Sequence, residues 1–231
     1  MTLFTEILGR AVSLLASGDP GVWSAIRATV TVSTASLLAS LVLGIPAGFL
    51  LGYCRFPGRQ LLRTLTDTLL ALPTVFIGLL VYTLLSRSGP LGELNLLFTL
   101  RAIGIGQTIL GLPIVVALTC NQVEHLDRSF YISLKGLGAD SGQILLTTIF
   151  ESRFGLLAAA VTAYGRILTE VGISMMVGGN IKYHTRTITT AIALETGKGE
   201  FATGMALGLV LLAIALLVNS VLTLIRNRWQ Q

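Results

Sequence analysis

Two ionisable side chains, Arg166 and Glu170, stand inside a stretch, residues 154–181, that carries no other charge. Four residues apart, they share one face of a helix and can neutralise each other. A lone charge at the centre of a bilayer costs ~2.5–3.5 kcal/mol on insertion scales, so the first reading is a structural pair facing a bundle interior. Two further readings use the same groups: Arg166 attracting or passing an anion, and Glu170 relaying protons. A tight cationic site would trap a dianion that a pathway must also release, so small and hydroxyl side chains suit a passage better than a fixed cation. Beyond the pair, Gly178-Gly179-Asn180 predicts a helix-stopping turn, either a plain C-cap or a gate at the outer end of the span. Lys182, His184 and Arg186 follow in a basic loop. They are solvated, or they concentrate anions or meet acidic patches on a partner protein.

The sequence holds no G-x-x-x-x-G-K-[ST], no HExxH and no GxSxG. No catalytic residue is therefore expected, and the chain is read as no enzyme: it draws its energy from a partner or an ion gradient. Cys54 and Cys120 are isolated, and His125 and His184 are far apart, so no metal or disulfide framework is expected either.

The elements that must position these residues follow from composition. Of 231 residues, 53% are hydrophobic and 12% charged, and the mean hydropathy is +0.80. A soluble domain carries about a quarter charged residues. That excludes an ordinary soluble protein, a disordered chain and a nucleic-acid binder. The net charge of +5 belongs to basic loops flanking membrane spans. Crossing a bilayer takes about 20 helical residues. Residues 28–54, 68–86, 102–123 and 201–225 are free of charge, and 154–181 makes a fifth candidate. The expected class is an all-α polytopic membrane protein with about five transmembrane helices. Residues 1–21 form an amino-terminal amphipathic segment, in which Leu3, Ile7, Leu14 and Leu15 with Glu6 and Arg10 suit a surface helix; no cleavable signal pattern is evident. Pro46, Pro73 and Pro113 are placed inside three spans, as in bundles that rearrange, and Ala35, Ser36, Ala39, Ser40 and Gly44 let helices approach closely. Five spans put the termini on opposite sides, but Lys and Arg divide almost evenly between them. Only the arginines of the turn Cys54–Gln60 hint at the inside.

Residues 124–153 are soluble in character. Phe130, Leu134 and Leu137 recur at helical spacing, Gly138-Ala139-Asp140 interrupts them, and Ile144, Leu145, Thr148 and Ile149 resume. Helix, turn, helix against the membrane face is predicted.

Leu137-Gly138-Ala139, with an apolar group about ten residues on and then a new span, resembles the cytoplasmic coupling loop of binding-protein-dependent ABC importer permeases. The family's opening Glu-Ala-Ala is replaced here by Ile132-Ser133-Leu134, and its later proline by Glu151. Residues 164–180, YGRILTEVGISMMVGGN, resemble oxyanion importer permeases, and with TRTITTAIALETGKGEF downstream look most like the tungstate branch. The resemblance implies a type I ABC importer permease fold over 22–226, with 124–153 as coupling loop. It places Leu137, Gly138, Ala139 and Asp140 against an ABC ATPase subunit, which would hold the ATP and Mg; this chain would hold no cofactor. The other implied partners are a periplasmic or lipid-anchored substrate-binding protein, a second copy of the chain and membrane lipid, with no nucleic acid. The setting implied is a bacterial or archaeal cytoplasmic membrane. An ATPase using cytosolic ATP puts the coupling loop inside, hence the amino terminus and the loops 87–101 and 182–200 outside and the carboxyl terminus inside. The substrate implied is tungstate. Molybdate or sulfate permease, and a gradient-driven secondary anion carrier, are the alternatives.

Overall fold

The structure, a computed structural model, describes residues 16–126 and 128–228 together with Thr5, Gly9, Val12 and Ser13. Most of the surface helix expected over 1–21 lies outside the described residues. Among the described residues there is no strand. The helices are α1 (Pro20–Tyr53), α2 (Arg59–Leu70), α3 (Thr74–Leu85), α4 (Leu100–His125), α5 (Arg128–Gly136), α6 (Ser141–Glu151), α7 (Arg153–Leu168), α8 (Gly172–Gly178), α9 (Ile188–Gly197) and α10 (Phe201–Arg228). Among the described residues, three helices are long and apolar enough to cross a membrane: α1, α4 and, within α10, Phe201–Val221. Two bent pairs, α2 with α3 at 102° and α6 with α7 at 71°, bring the number to five if each counts once.

α1 starts where its sequence says it should. The Asp19 side chain accepts from Val22 N–H at 2.9 Å, and Pro20 takes the first helical turn, where no amide hydrogen is needed. It then runs through Pro46 without stopping. Its carboxyl-terminal half lies directly on α4. A Cβ at Gly44 would meet Val115 Cγ1 at 2.7 Å, one at Gly48 would meet Thr119 Cβ at 2.6 Å, and one at Gly52 would meet Val123 Cβ at 2.8 Å. The glycines recur every fourth residue, so they form one ridge that admits the facing helix to backbone contact. Ser36 continues the ridge toward the start of α1, donating to Val32 O at 2.7 Å and lying 3.2 Å from Gln107 Oε1 of α4.

Around this pair, Ile77, Val81 and Leu85 of α3 and Ile173 and Val177 of α8 bury themselves against Val32, Ala102, Ile103 and Leu110. A second cluster joins Ile188 and Ala191 of α9 and Leu207 and Val210 of α10 to Ala25 of α1.

Two expectations change. The stretch 68–86 is no continuous helix: Ala71–Pro73 breaks it, and Pro73 caps α3 instead of lying inside a span. Its missing N–H makes the α2–α3 corner a natural break. The stretch 154–181 likewise breaks at Thr169–Val171.

Candidate functional site

Arg166 and Glu170 meet as predicted, but not on one helix. α7 ends at Leu168, and Glu170 lies in the break before α8. Arg166 Nη1 is 3.0 Å from Glu170 Oε2. Glu170 Oε1 accepts from Ile173 N–H at 3.1 Å, so the carboxylate caps α8 as well as pairing with the arginine. The Glu170 carbonyl accepts from the hydroxyls of Thr189 at 2.9 Å and Ser174 at 3.4 Å. The backbone break inside the bundle is thereby satisfied from its own side chains.

The two partners differ in exposure. The Glu170 side chain is 2% exposed and that of Arg166 is 42% exposed. Arg166 lies thirteen residues along α7 from Arg153, about 20 Å, well within a hydrocarbon core about 30 Å thick. Its neighbours on the open side of α7, Ala158, Thr162 and Thr169, are small or hydroxylic. A guanidinium half-exposed at this depth cannot face lipid chains cheaply, so this face meets water or protein.

The region read as an outer loop, 182–200, is corrected by the structure. Residues 188–197 form α9, and its first turn is buried: Thr187, Thr189 and Thr190 are 2%, 4% and 0% exposed. Thr187 caps α9 in a reciprocal capping box with Thr190, its Oγ1 lies 2.9 Å from that of Thr189, and Ile188 N–H donates to Thr29 Oγ1 at 2.8 Å. Thr29 is nine residues into α1, about 14 Å from its start, so the chain dips into the bundle before α9. These threonines were missed as a group. The signal was there in Thr187-x-x-Thr190 ahead of an apolar run, an N-cap pattern.

Gly178-Gly179-Asn180 forms the expected turn. Gly179 caps α8 at φ 70°, where a Cβ would also strike Phe98, and Asn180 follows at φ 50°. The hydroxyl of Thr185 donates to Gly178 O. Of the basic residues beyond, Lys182 and His184 are exposed, as a solvated loop requires. Arg186 is not: it is half-buried, and its Nε donates to Asn180 Oδ1 at 3.1 Å.

The third feature is at the opposite end. α5 closes in a Schellman motif: Ala139 N–H reaches Leu134 O and Gly138 N–H reaches Lys135 O, both at 3.0 Å, with Gly138 at φ 79°. Asp140 opens α6 with a capping box to Gln143. Leu134 and Ala139 pack onto a core of Phe49, Val123 and Ile144, where the rings of Tyr53 and Tyr131 meet at a tilt, 4.8 Å between centroids. Burial pushes the Tyr131 phenol up. The turn is thus fixed on the ends of α1 and α4, while Leu137, 83% exposed, projects from it. Glu124, at the end of α4, pairs with both Arg59 and Arg63 of α2 and ties the corner after Cys54 to the same end. No motif in the sequence marks that triad.

Residues 44–231 match the family described as the binding-protein-dependent transport system inner membrane component. A tungstate uptake system permease protein from Campylobacter jejuni is 48% identical over 210 residues, 91% of this chain and 88% of the relative. One from Peptoclostridium acidaminophilum is 37% identical over 222 residues, 96% and 97% of the two chains. Among solved structures, a chain from inward-facing crystals of the MetNI methionine ABC transporter superposes with a TM-score of 0.69 at 20% identity, covering 89% of this chain and 93% of that one.

Proposed function

The chain belongs to the binding-protein-dependent transport system inner membrane components, and we propose that it is the permease subunit through which an ABC importer moves tungstate into the cell. Two such subunits would face each other across a pathway, with an ABC ATPase inside and a substrate-binding protein outside. The half-exposed Arg166, amid Ala158, Thr162 and Thr169 on the open side of α7, carries the reading. A wet face between two copies is where such an arginine is affordable. One of its nitrogens is held by Glu170, which moderates its pull on a dianion and permits release. The hydroxyls of Thr162 and Thr169 donate to the Ala158 and Gly165 carbonyls, and turned outward they would offer weak, replaceable donors to oxyanion oxygens. The similarity to tungstate permeases supports that substrate over molybdate or sulfate.

Gly178-Gly179-Asn180 would then form the outer gate, and Leu137-Gly138-Ala139-Asp140 would seat in the ATPase, which supplies the ATP and Mg chemistry this chain lacks. The amino terminus lies outside and the carboxyl terminus inside. The test is tungsten uptake, measured by elemental analysis in cells whose only copy of this gene is supplied in trans. Gly138→Trp is expected to reach the membrane and leave ATP hydrolysis running while uptake fails. Normal uptake in that variant refutes the coupling role. Uptake that stops when ion gradients are collapsed at constant ATP points instead to a secondary carrier.

A further inference from the structure

Between α1 and α4, on the outward half of the chain, runs an open groove of about 650 Å³. Ala35, Ala39 and Leu43 form one wall, and Ile105, Ile109 and Leu112 the other. Arg101 stands at its upper end. A second cavity of about 790 Å³ meets it there, sharing Thr31 and Leu100, and is lined by Arg27 and by the exposed Trp23. Arg27 and Arg101 are both exposed, and among the described residues neither has an ion pair or hydrogen bond. Among the described residues no carboxylate lines either cavity.

We infer that this groove binds an anionic phospholipid, its acyl chain laid between α1 and α4 and its phosphate held by Arg101 and Arg27. The dimensions agree. From Thr31 to Leu43 the groove follows twelve residues of α1, about 18 Å, against about 15 Å for half the hydrocarbon core. The polarity agrees too: the floor is apolar and the cations stand only at the end where a headgroup lies. Guanidinium groups match phosphate oxygens in forked hydrogen bonds, and a tryptophan beside them belongs at headgroup depth. A helix from a second copy would fill the apolar floor but would leave two guanidiniums at one end unexplained.

The experiment is native mass spectrometry of the purified chain in detergent with added phosphatidylglycerol, phosphatidylethanolamine or glycerol 3-phosphate. Wild type is expected to retain phosphatidylglycerol, to hold phosphatidylethanolamine less, and to ignore glycerol 3-phosphate, which lacks the chains. Arg27→Gln with Arg101→Gln should lower phosphatidylglycerol retention about thirtyfold, at the usual contribution of each basic residue near a charged membrane. The corresponding lysine pair should restore most of it, which separates lost charge from lost folding. Ala39→Trp, filling the groove, should release both lipids. The inference is overturned if the glutamine pair retains phosphatidylglycerol like wild type, if glycerol 3-phosphate binds as well as the lipid, or if Ala39→Cys cross-links two copies while no lipid is held.

Discussion

Replacing Glu170 separates the two tasks its carboxylate performs. In Glu170→Leu, Ile173 N–H loses its acceptor inside the bundle, which costs about 1–3 kcal/mol. Arg166 loses its partner, but at 42% exposure that pair is partly screened and adds about 1 kcal/mol at most. For a chain of this size each kcal/mol moves the melting temperature by roughly 2–4 °C, so the combined loss of about 2–4 kcal/mol should lower the melting of Glu170→Leu by about 4–16 °C. Glu170→Gln keeps an oxygen for Ile173 N–H and should lose only about 2–4 °C. Arg166→Leu is the harsher single change. It leaves a carboxylate that is 2% exposed without a counter-charge, a situation that costs about 3–5 kcal/mol. Combining Arg166→Leu with Glu170→Gln removes that charge and should recover part of the loss, whereas Arg166→Leu with Glu170→Leu should recover less because the cap stays missing. The assay is thermal unfolding of the purified chain in detergent, followed by circular dichroism. Equal melting temperatures for the Gln and Leu variants would refute the capping role. A double variant no more stable than Arg166→Leu would refute the pairing.

Topology can be read with a membrane-impermeant thiol reagent on intact cells stripped of any outer barrier, using a chain without Cys54 and Cys120: Lys198→Cys should label, Ser141→Cys should not, and Thr187→Cys, on the outer side but buried, should label only after unfolding. Labelling at Ser141 alone would invert the orientation. The close approach of α1 to α4 predicts that Gly48→Val, whose Cβ would stand 2.7 Å from Val116 O, destabilises by about 1–3 kcal/mol through overpacking; Gly208→Ala in α10, with nothing within 4 Å, should be neutral or raise the melting temperature.

The long apolar runs revealed α1, α4 and α10 because a helix that crosses a membrane alone must be apolar along its whole length. The breaks did not show in hydropathy. Leu70, Ala71 and Leu72 are as apolar as their neighbours, and the corner there is set by Pro73 and by the packing of α3 on α8. The turn at Gly138 was legible because a Schellman motif writes itself locally, in a glycine and the leucine before it. The Arg166–Glu170 contact was legible from spacing, but the capping of Ile173 was not, since it depends on where α7 stops. The burial of Thr187, Thr189 and Thr190 was hidden by their hydroxyls. In composition they resemble a wet loop, and only the bond from Ile188 N–H to Thr29 and that from the Thr189 hydroxyl to the Glu170 carbonyl place the segment inside.

The ridge of Gly44, Gly48 and Gly52 against Val115, Thr119 and Val123 has a mechanical consequence. A slip of one residue would bring Ile45, Phe49 or Tyr53 to contacts that already leave no room for a single methyl group. Sliding is therefore closed to the two helices, and they must travel as one strut. A rearrangement that keeps this strut whole has to be taken up where the backbone has already left the helix, as at Ala71–Pro73, at Ser152 and at Thr169–Val171.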